Sequence, residues 1–169
     1  SKVNILYPGM ICIDLGSSPG GWSQYVSKHL NKNVQIIAVD LLPMDTIPSV
    51  EFIQGDITHK YVFNGIMKLL KNTKAGLVMS DIAPNITGVR STDQSRSIQL
   101  AELSLDLASK LLKRKGNFIC KLFQGEGCEE FIDDARKSFM QIKIIKPAAS
   151  RPKSREIYFI GKYFSNSIK

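Results

Sequence analysis

Met10-Ile11-Cys12-Ile13-Asp14-Leu15-Gly16-Ser17-Ser18-Pro19-Gly20-Gly21-Trp22 is an apolar run that ends in a carboxylate, then a glycine-rich turn, then the start of an amphipathic segment. Met10 to Leu15 reads as a buried strand. Pro19 to Leu30 reads as a helix, with Trp22, Tyr25, Val26 and Leu30 at helical spacing. The same alternation continues downstream. Ile36–Asp40, Val50–Gln54, Gly76–Ser80 and Asn117–Phe123 are further predicted strands, and Ile142–Lys146 and Glu156–Lys162 are predicted to close the sheet. Between them, Thr58 caps a predicted helix carrying Val62, Ile66 and Leu69. Ile98, Ala101, Leu105, Ala108 and Leu112 predict a third helix, stopped by Gly116, and Cys128 to Met140 a fourth. Strands alternating with helices imply an α/β fold: a doubly wound, mostly parallel seven-stranded sheet with an antiparallel closing strand and helices on both faces.

The chain has 169 residues, 43% of them hydrophobic and 22% charged. That is ordinary globular composition, and it excludes disorder, collagen and coiled coil. The length predicts one domain, residues 1–169. No apolar run approaches the roughly 20 residues of a membrane span. Three cysteines, Cys12, Cys120 and Cys128, form no CxxC pair. No metal-ligand spacing occurs, so no metal is expected, and a reducing compartment is: the cytoplasm. The net charge of +8 is unevenly spread, because residues 1–109 are neutral overall and the excess lies in the last third. Such a basic face suits a polyanion, although a merely basic surface gives the same charge.

In a parallel sheet of this kind, ligands bind beyond the carboxyl ends of the strands. Asp14, Asp40, Asp56 and Asp81 all fall at predicted strand ends, with Lys121 near the end of the fifth. Gly16, Gly20 and Gly21 let the backbone pass close to a ligand, but their spacing is not GxGxxG. Asp40, 24 residues after Gly16, is placed to bind ribose hydroxyls, and Asp56 to accept a bond from an adenine amino group. Together they describe a nucleoside pocket; a helix cap or turn is the plainer reading of Asp56. A turn residue is likewise the plainer reading of Asp81, and a structural ion pair that of Lys121. Lys146, Arg151, Lys153 and Arg155, interleaved with serines, suit contacts to a phosphate backbone.

The pieces DLGSSPGGWSQYV, AVDLLPMD, FIQGD, MSDIAPN, STDQSR (with Asp93 and Arg96), CKLFQGEG and KPAASRPKSREIY occur in one order over nearly the whole chain. In that order they resemble the FtsJ/RlmE family of ribosomal RNA ribose 2′-O-methyltransferases, bacterial branch. The resemblance implies a Rossmann-like sheet that binds S-adenosylmethionine and releases S-adenosylhomocysteine. By motif, Gly20 and Trp22 line the cofactor site, Asp40 meets the ribose, Asp56 the adenine, and Asp81 lies near the methionine end. The family's catalytic group is a Lys-Asp-Lys-Glu tetrad, whose last three members match Asp81, Lys121 and Glu156. Its first lysine has no match here, since Lys2 does not align with it. The resemblance therefore implies an upstream basic segment. It also implies a monomer acting, away from membranes, on large-subunit ribosomal RNA. The implied target is a uridine in the peptidyl-transferase region of assembled subunits.

The expected chemistry is modest. A ribose hydroxyl is a poor nucleophile and a methyl sulfonium a good electrophile, so positioning and removal of one proton remain to be supplied. Lys121, if neutral, is the candidate general base: burial or a neighbouring cation would favour the neutral amine, whereas Asp81 and Glu156 would favour the charged one. The alternative is that the carboxylates orient the lysine and in-line placement supplies most of the rate. Two other readings fit parts of the sequence: a nicotinamide-dependent oxidoreductase, from the glycine loop and Asp40, and a non-catalytic RNA-binding module. His29 and His59 are read as non-catalytic.

Overall fold

The computed structural model describes residues 4–147 and 154–165. Among the described residues, seven strands form a mixed sheet accompanied by four helices, in agreement with the expected fold class. The chain divides into two compact units, Ser1–Asp81 and Ile82–Lys169.

The first unit contains β1 (Ile11–Leu15), α1 (Gly21–His29), β2 (Gln35–Asp40), β3 (Val50–Gln54), α2 (Lys60–Leu70) and β4 (Ala75–Ser80). Its strands run in the order β3-β2-β1-β4, each parallel to its neighbour. Ile13, Leu15, Ile36, Ile37 and Leu77 are fully buried, and every residue of β4 is buried. Continuous apolar runs suit strands covered on both faces. The register sets Asp14 beside Ala38, and Leu15 between Val39 and Ser80, which brings the ends of β1, β2 and β4 to one level. In α2, Leu70 rather than Leu69 completes the buried face with Val62 and Ile66. His59, not Thr58, is the cap residue of α2, because the Thr58 hydroxyl donates instead to Asp56.

The second unit contains α3 (Arg90–Leu111), β5 (Leu112–Phe123), α4 (Cys128–Arg136), β6 (Phe139–Ile145) and β7 (Glu156–Phe164). The strand β7 runs antiparallel to both β5 and β6, and is the expected antiparallel closing strand. Two predicted helices need correction. The first begins eight residues earlier than its apolar spacing, and β5 starts directly after Leu111, ahead of Gly116. The other ends at Arg136, and Phe139 and Met140 belong to β6. Phe139 stays with the strand because its ring packs against Phe118 and Phe164. It also lies on Gly161, where an added Cβ would come within 2.7 Å of the ring. Cys12, Cys120 and Cys128 are buried and free, as core thiols should be. Among the described residues, no helix is long and apolar enough to cross a membrane, and no cluster of His, Cys, Asp or Glu could hold a metal ion.

Candidate active site

The glycine loop is built by its backbone. Gly16 has φ +74°, and the N–H groups of Gly16 and Ser17 both donate to the Val39 carbonyl, at 2.8 and 3.1 Å. The loop therefore closes over the end of β2. Gly20 caps α1 with φ +110°, a conformation that L side chains rarely adopt. A Cβ on Gly20 would lie 2.6 Å from the end of the Ile47 side chain and 3.2 Å from Met44 Sδ. Trp22 follows in the first turn of α1, partly exposed.

Asp40 holds this loop in place. Its Oδ2 accepts the Ser18 N–H and its Oδ1 the Leu42 N–H, both at 2.9 Å. Each oxygen keeps a second lone pair, so the carboxylate can still receive two hydroxyls. Asp56 Oδ1 accepts the N–H and hydroxyl of Thr58 at 2.8 and 2.7 Å. These bonds hold its carboxyl below the usual range and keep it an acceptor. Asp81 stands just past β4, where its N–H donates to the Leu15 carbonyl at 3.1 Å.

Asp14 is only 1% exposed and accepts a 2.7 Å bond from Ser23 Oγ. Burial pushes its carboxyl up to about 6, against the Ser23 bond; Asp81 and Asp40 add to the rise. Three carboxylates thus crowd the ends of neighbouring strands, and one of them is deeply desolvated. Ser17 Oγ is the buried side-chain polar atom without a partner among the described residues. A buried anion among anions, and an orphaned hydroxyl in a glycine loop, are features that a cationic polar ligand would resolve.

The elevated Asp14 carboxyl has a measurable consequence. A carboxyl that protonates more readily when folded stabilises the protein at low pH, and that contribution is lost as pH rises through about 6. Asp14→Asn stays neutral and still accepts the Ser23 bond. Without ligand, the variant should gain stability over wild type by up to about 3 kcal/mol between pH 4 and pH 8. Urea melts of both proteins across that range check this; a pH-independent difference would contradict it.

In the second unit, Lys121 Nζ lies 3.9 Å from Glu156 Oε1, with the lysine side chain 15% exposed and the glutamate 39%. The strand pairing sets Lys121 opposite Tyr158 and Phe123 opposite Glu156, so β5 and β7 deliver the two side chains together. Lys146 Nζ donates to the Ser154 carbonyl at 2.7 Å. Arg155 donates to Gln94 Oε1 at 3.0 Å, with its guanidinium 5.5 Å from the centre of the Phe123 ring. Arg151 and Lys153 lie outside the described residues.

Sequence reasoning puts Asp14 on the rim of strand ends but gives it no role, and leaves Ser17 and Gln94 out of the site. Asp14 carried a signal, since it ends a buried strand, whereas Ser17 and Gln94 are polar residues that only packing makes conspicuous.

Comparison with known proteins places the chain. The chain is 45% identical over 163 residues to the ribosomal RNA large subunit methyltransferase E of Cellvibrio japonicus, covering 96% of this chain and 77% of that protein. It is 47% identical over 164 residues to the Marinobacter nauticus enzyme of the same name, covering 97% and 79%. Its fold is similar to that of a Plasmodium falciparum protein described as a ribosomal RNA methyltransferase, with TM-score 0.83, 28% identity and coverage of 94% and 88%. It also shares its fold with human methyltransferase-like protein 13, solved in complex with SAH, at TM-score 0.65 and 14% identity over 96% and 75% of the chains. The family model for FtsJ-like methyltransferases matches residues 1–164. With nearly its whole length matched, this chain belongs to the FtsJ-like methyltransferase family.

Proposed function

We propose that this protein methylates the 2′-hydroxyl of a ribose in large-subunit ribosomal RNA, at a uridine, using S-adenosylmethionine. The observation that carries the cofactor reading is the trio Asp14, Asp40 and Asp81 at adjoining strand ends, with Asp14 buried and its charge opposed by the other two. Such a pocket favours a ligand with positive charge, which separates it from the nicotinamide alternative with its anionic pyrophosphate. Asp40 would hold the cofactor's ribose hydroxyls and Asp56 the adenine amino group. Gly16 and Gly20 give the backbone close approach, Trp22 lines the same site, and Asp81 faces the methionine end. When bound, the cofactor supplies a methyl group on a sulfonium.

The rest falls to this chain. Lys121 accepts the proton of the attacking hydroxyl at Nζ. Glu156, 3.9 Å away, orients that amine. Asp81 completes the catalytic set by its match to the family motif. We take the two units as one catalytic domain spanning residues 1–169, acting as a cytoplasmic monomer. Calorimetry tests the cofactor reading: S-adenosylmethionine and S-adenosylhomocysteine should bind and NAD should not, whereas binding of RNA alone would favour a non-catalytic module.

The RNA side rests on the basic last third, above all Lys146, Arg151, Lys153 and Arg155. If the four meet phosphates, their joint neutralisation should flatten the log–log salt dependence of RNA binding by a slope of about 3. Filter binding on large-subunit RNA at several salt concentrations reads this slope, and an unaltered slope would place the phosphate contacts elsewhere.

A further inference from the structure

Asp93, Gln94 and Ser97 fill the first two turns of α3, and they are 3%, 5% and 4% exposed. Buried polar side chains on the inner face of a helix need partners. Those of Asp93 lie in the preceding loop: its Oδ1 accepts the Thr87 N–H at 2.9 Å and the Thr87 hydroxyl at 2.8 Å, and its Oδ2 accepts the Gly88 N–H at 3.2 Å. The other two reach β5. Ser97 Oγ accepts the Phe123 N–H at 3.0 Å. Gln94 Nε2 donates to the Phe123 carbonyl at 2.7 Å and to the Glu126 carbonyl at 3.0 Å, while its Oε1 accepts from Arg155 Nη1 at 3.0 Å. One buried amide therefore spends both donors and its acceptor on the end of β5, the turn before α4 and the residue before β7. Gly125 leaves room for it, since a Cβ there would sit 3.1 Å from the Gln94 amide.

These bonds end on residues that adjoin Lys121 and Glu156 along β5 and β7. Phe123 stands two residues beyond Lys121 on β5 and pairs directly with Glu156 on β7. Arg155 immediately precedes Glu156, and its carbonyl accepts the Gln124 N–H at 2.8 Å. Without the Gln94 amide, the end of β5 would keep its ladder and its Ser97 bond to α3, but would lose the Gln94 bonds that tie the Phe123 and Glu126 carbonyls and the Arg155 side chain to one group.

We infer that Gln94 is a positioning residue: through Phe123, Glu126 and Arg155 it fixes the spacing and direction of Lys121 and Glu156. This rests on the reading of Lys121 as the base. A small displacement suffices to matter, because a shift of about 1 Å in reacting geometry can cost about 100-fold in rate.

The test compares Gln94→Leu, Arg155→Gln and the double variant with wild type. Single-turnover methyl transfer is measured in the full-length protein with saturating S-adenosylmethionine and large ribosomal subunits. Each single variant should lose about 10- to 100-fold in rate. Cofactor Kd should stay within about threefold in every variant, and subunit KM in Gln94→Leu, since a positioning role acts on the chemical step; Arg155→Gln is read at saturating subunits, because Arg155 is also a proposed phosphate contact. The pH–rate profile should shift, because it reports the altered Lys121–Glu156 spacing. The double variant should lose little more than either single, as residues acting through one contact do. Arg155→Gln leaves both carbonyl bonds of Gln94 in place, so it remains informative if Gln94→Leu does not fold. A full rate per folded molecule, an unshifted pH profile, or additive losses would overturn the inference. Lys121→Ala, run alongside, separates the two claims. If it is inactive while the Gln94 variants are normal, only the positioning role falls; if it is fully active, the base assignment falls.

Discussion

Lys121→Ala should leave S-adenosylmethionine affinity within about tenfold while cutting single-turnover methyl transfer by about 10²- to 10⁴-fold, the range for a lost general base. The side chain is only 15% exposed and its Nζ has a carboxylate at 3.9 Å, so it is held rather than free to sweep solvent. A held amine is suited to take one proton from one hydroxyl. Lys121→Arg should fail nearly as badly, because a guanidinium does not deprotonate in proteins. Glu156→Ala should cost less, since the role proposed for Glu156 is to orient the amine and not to receive the proton. Single-turnover assays on large subunits measure all three. Near-wild-type transfer by Lys121→Arg would eliminate lysine as the base and leave electrostatic positioning as the surviving account.

The second large effect is expected at Asp40. Asp40→Ala removes the proposed acceptor of two ribose hydroxyls and should weaken S-adenosylmethionine binding by about 1.5–3 kcal/mol, as lost charge-assisted bonds do. That is about 10- to 150-fold in Kd. The structure adds a second route to the same loss, because Asp40 also holds the N–H groups of Ser18 and Leu42. Asp40→Asn separates the two routes: it retains one carbonyl oxygen for the loop but loses the charge and one acceptor, so its affinity should fall between wild type and Asp40→Ala. Calorimetry on each folded variant checks the order, and unchanged affinity in Asp40→Ala would remove Asp40 from the pocket.

Much of the fold was legible because its strands are continuous apolar runs that end in carboxylates. Val50–Gln54 was bounded without error, and the ends of β1, β2 and β4 fell where Asp14, Asp40 and Asp81 put them. The errors share one physical cause. Apolar periodicity reports only the residues that pack on hydrocarbon. The opening of α3 was invisible because its buried residues, Asp93, Gln94 and Ser97, are polar and are satisfied by loop and strand backbone. Phe139 was assigned to a helix because its aromatic partners, Phe118 and Phe164, are far away in the chain. In the site, the carboxylates announced themselves by position, while the pairing of Lys121 with Glu156 depends on the β5–β7 register, which no local pattern encodes.

The central claim is that the methyl group goes to a ribose 2′-oxygen of large-subunit RNA. The direct measurement incubates the full-length protein with methyl-labelled S-adenosylmethionine and large ribosomal subunits lacking the modification. Nuclease digestion and mass spectrometry of the nucleosides then locate the label. The account predicts label in 2′-O-methyluridine, abolished by Lys121→Ala. Label on a base, or no transfer to subunits by protein that binds the cofactor, would contradict it.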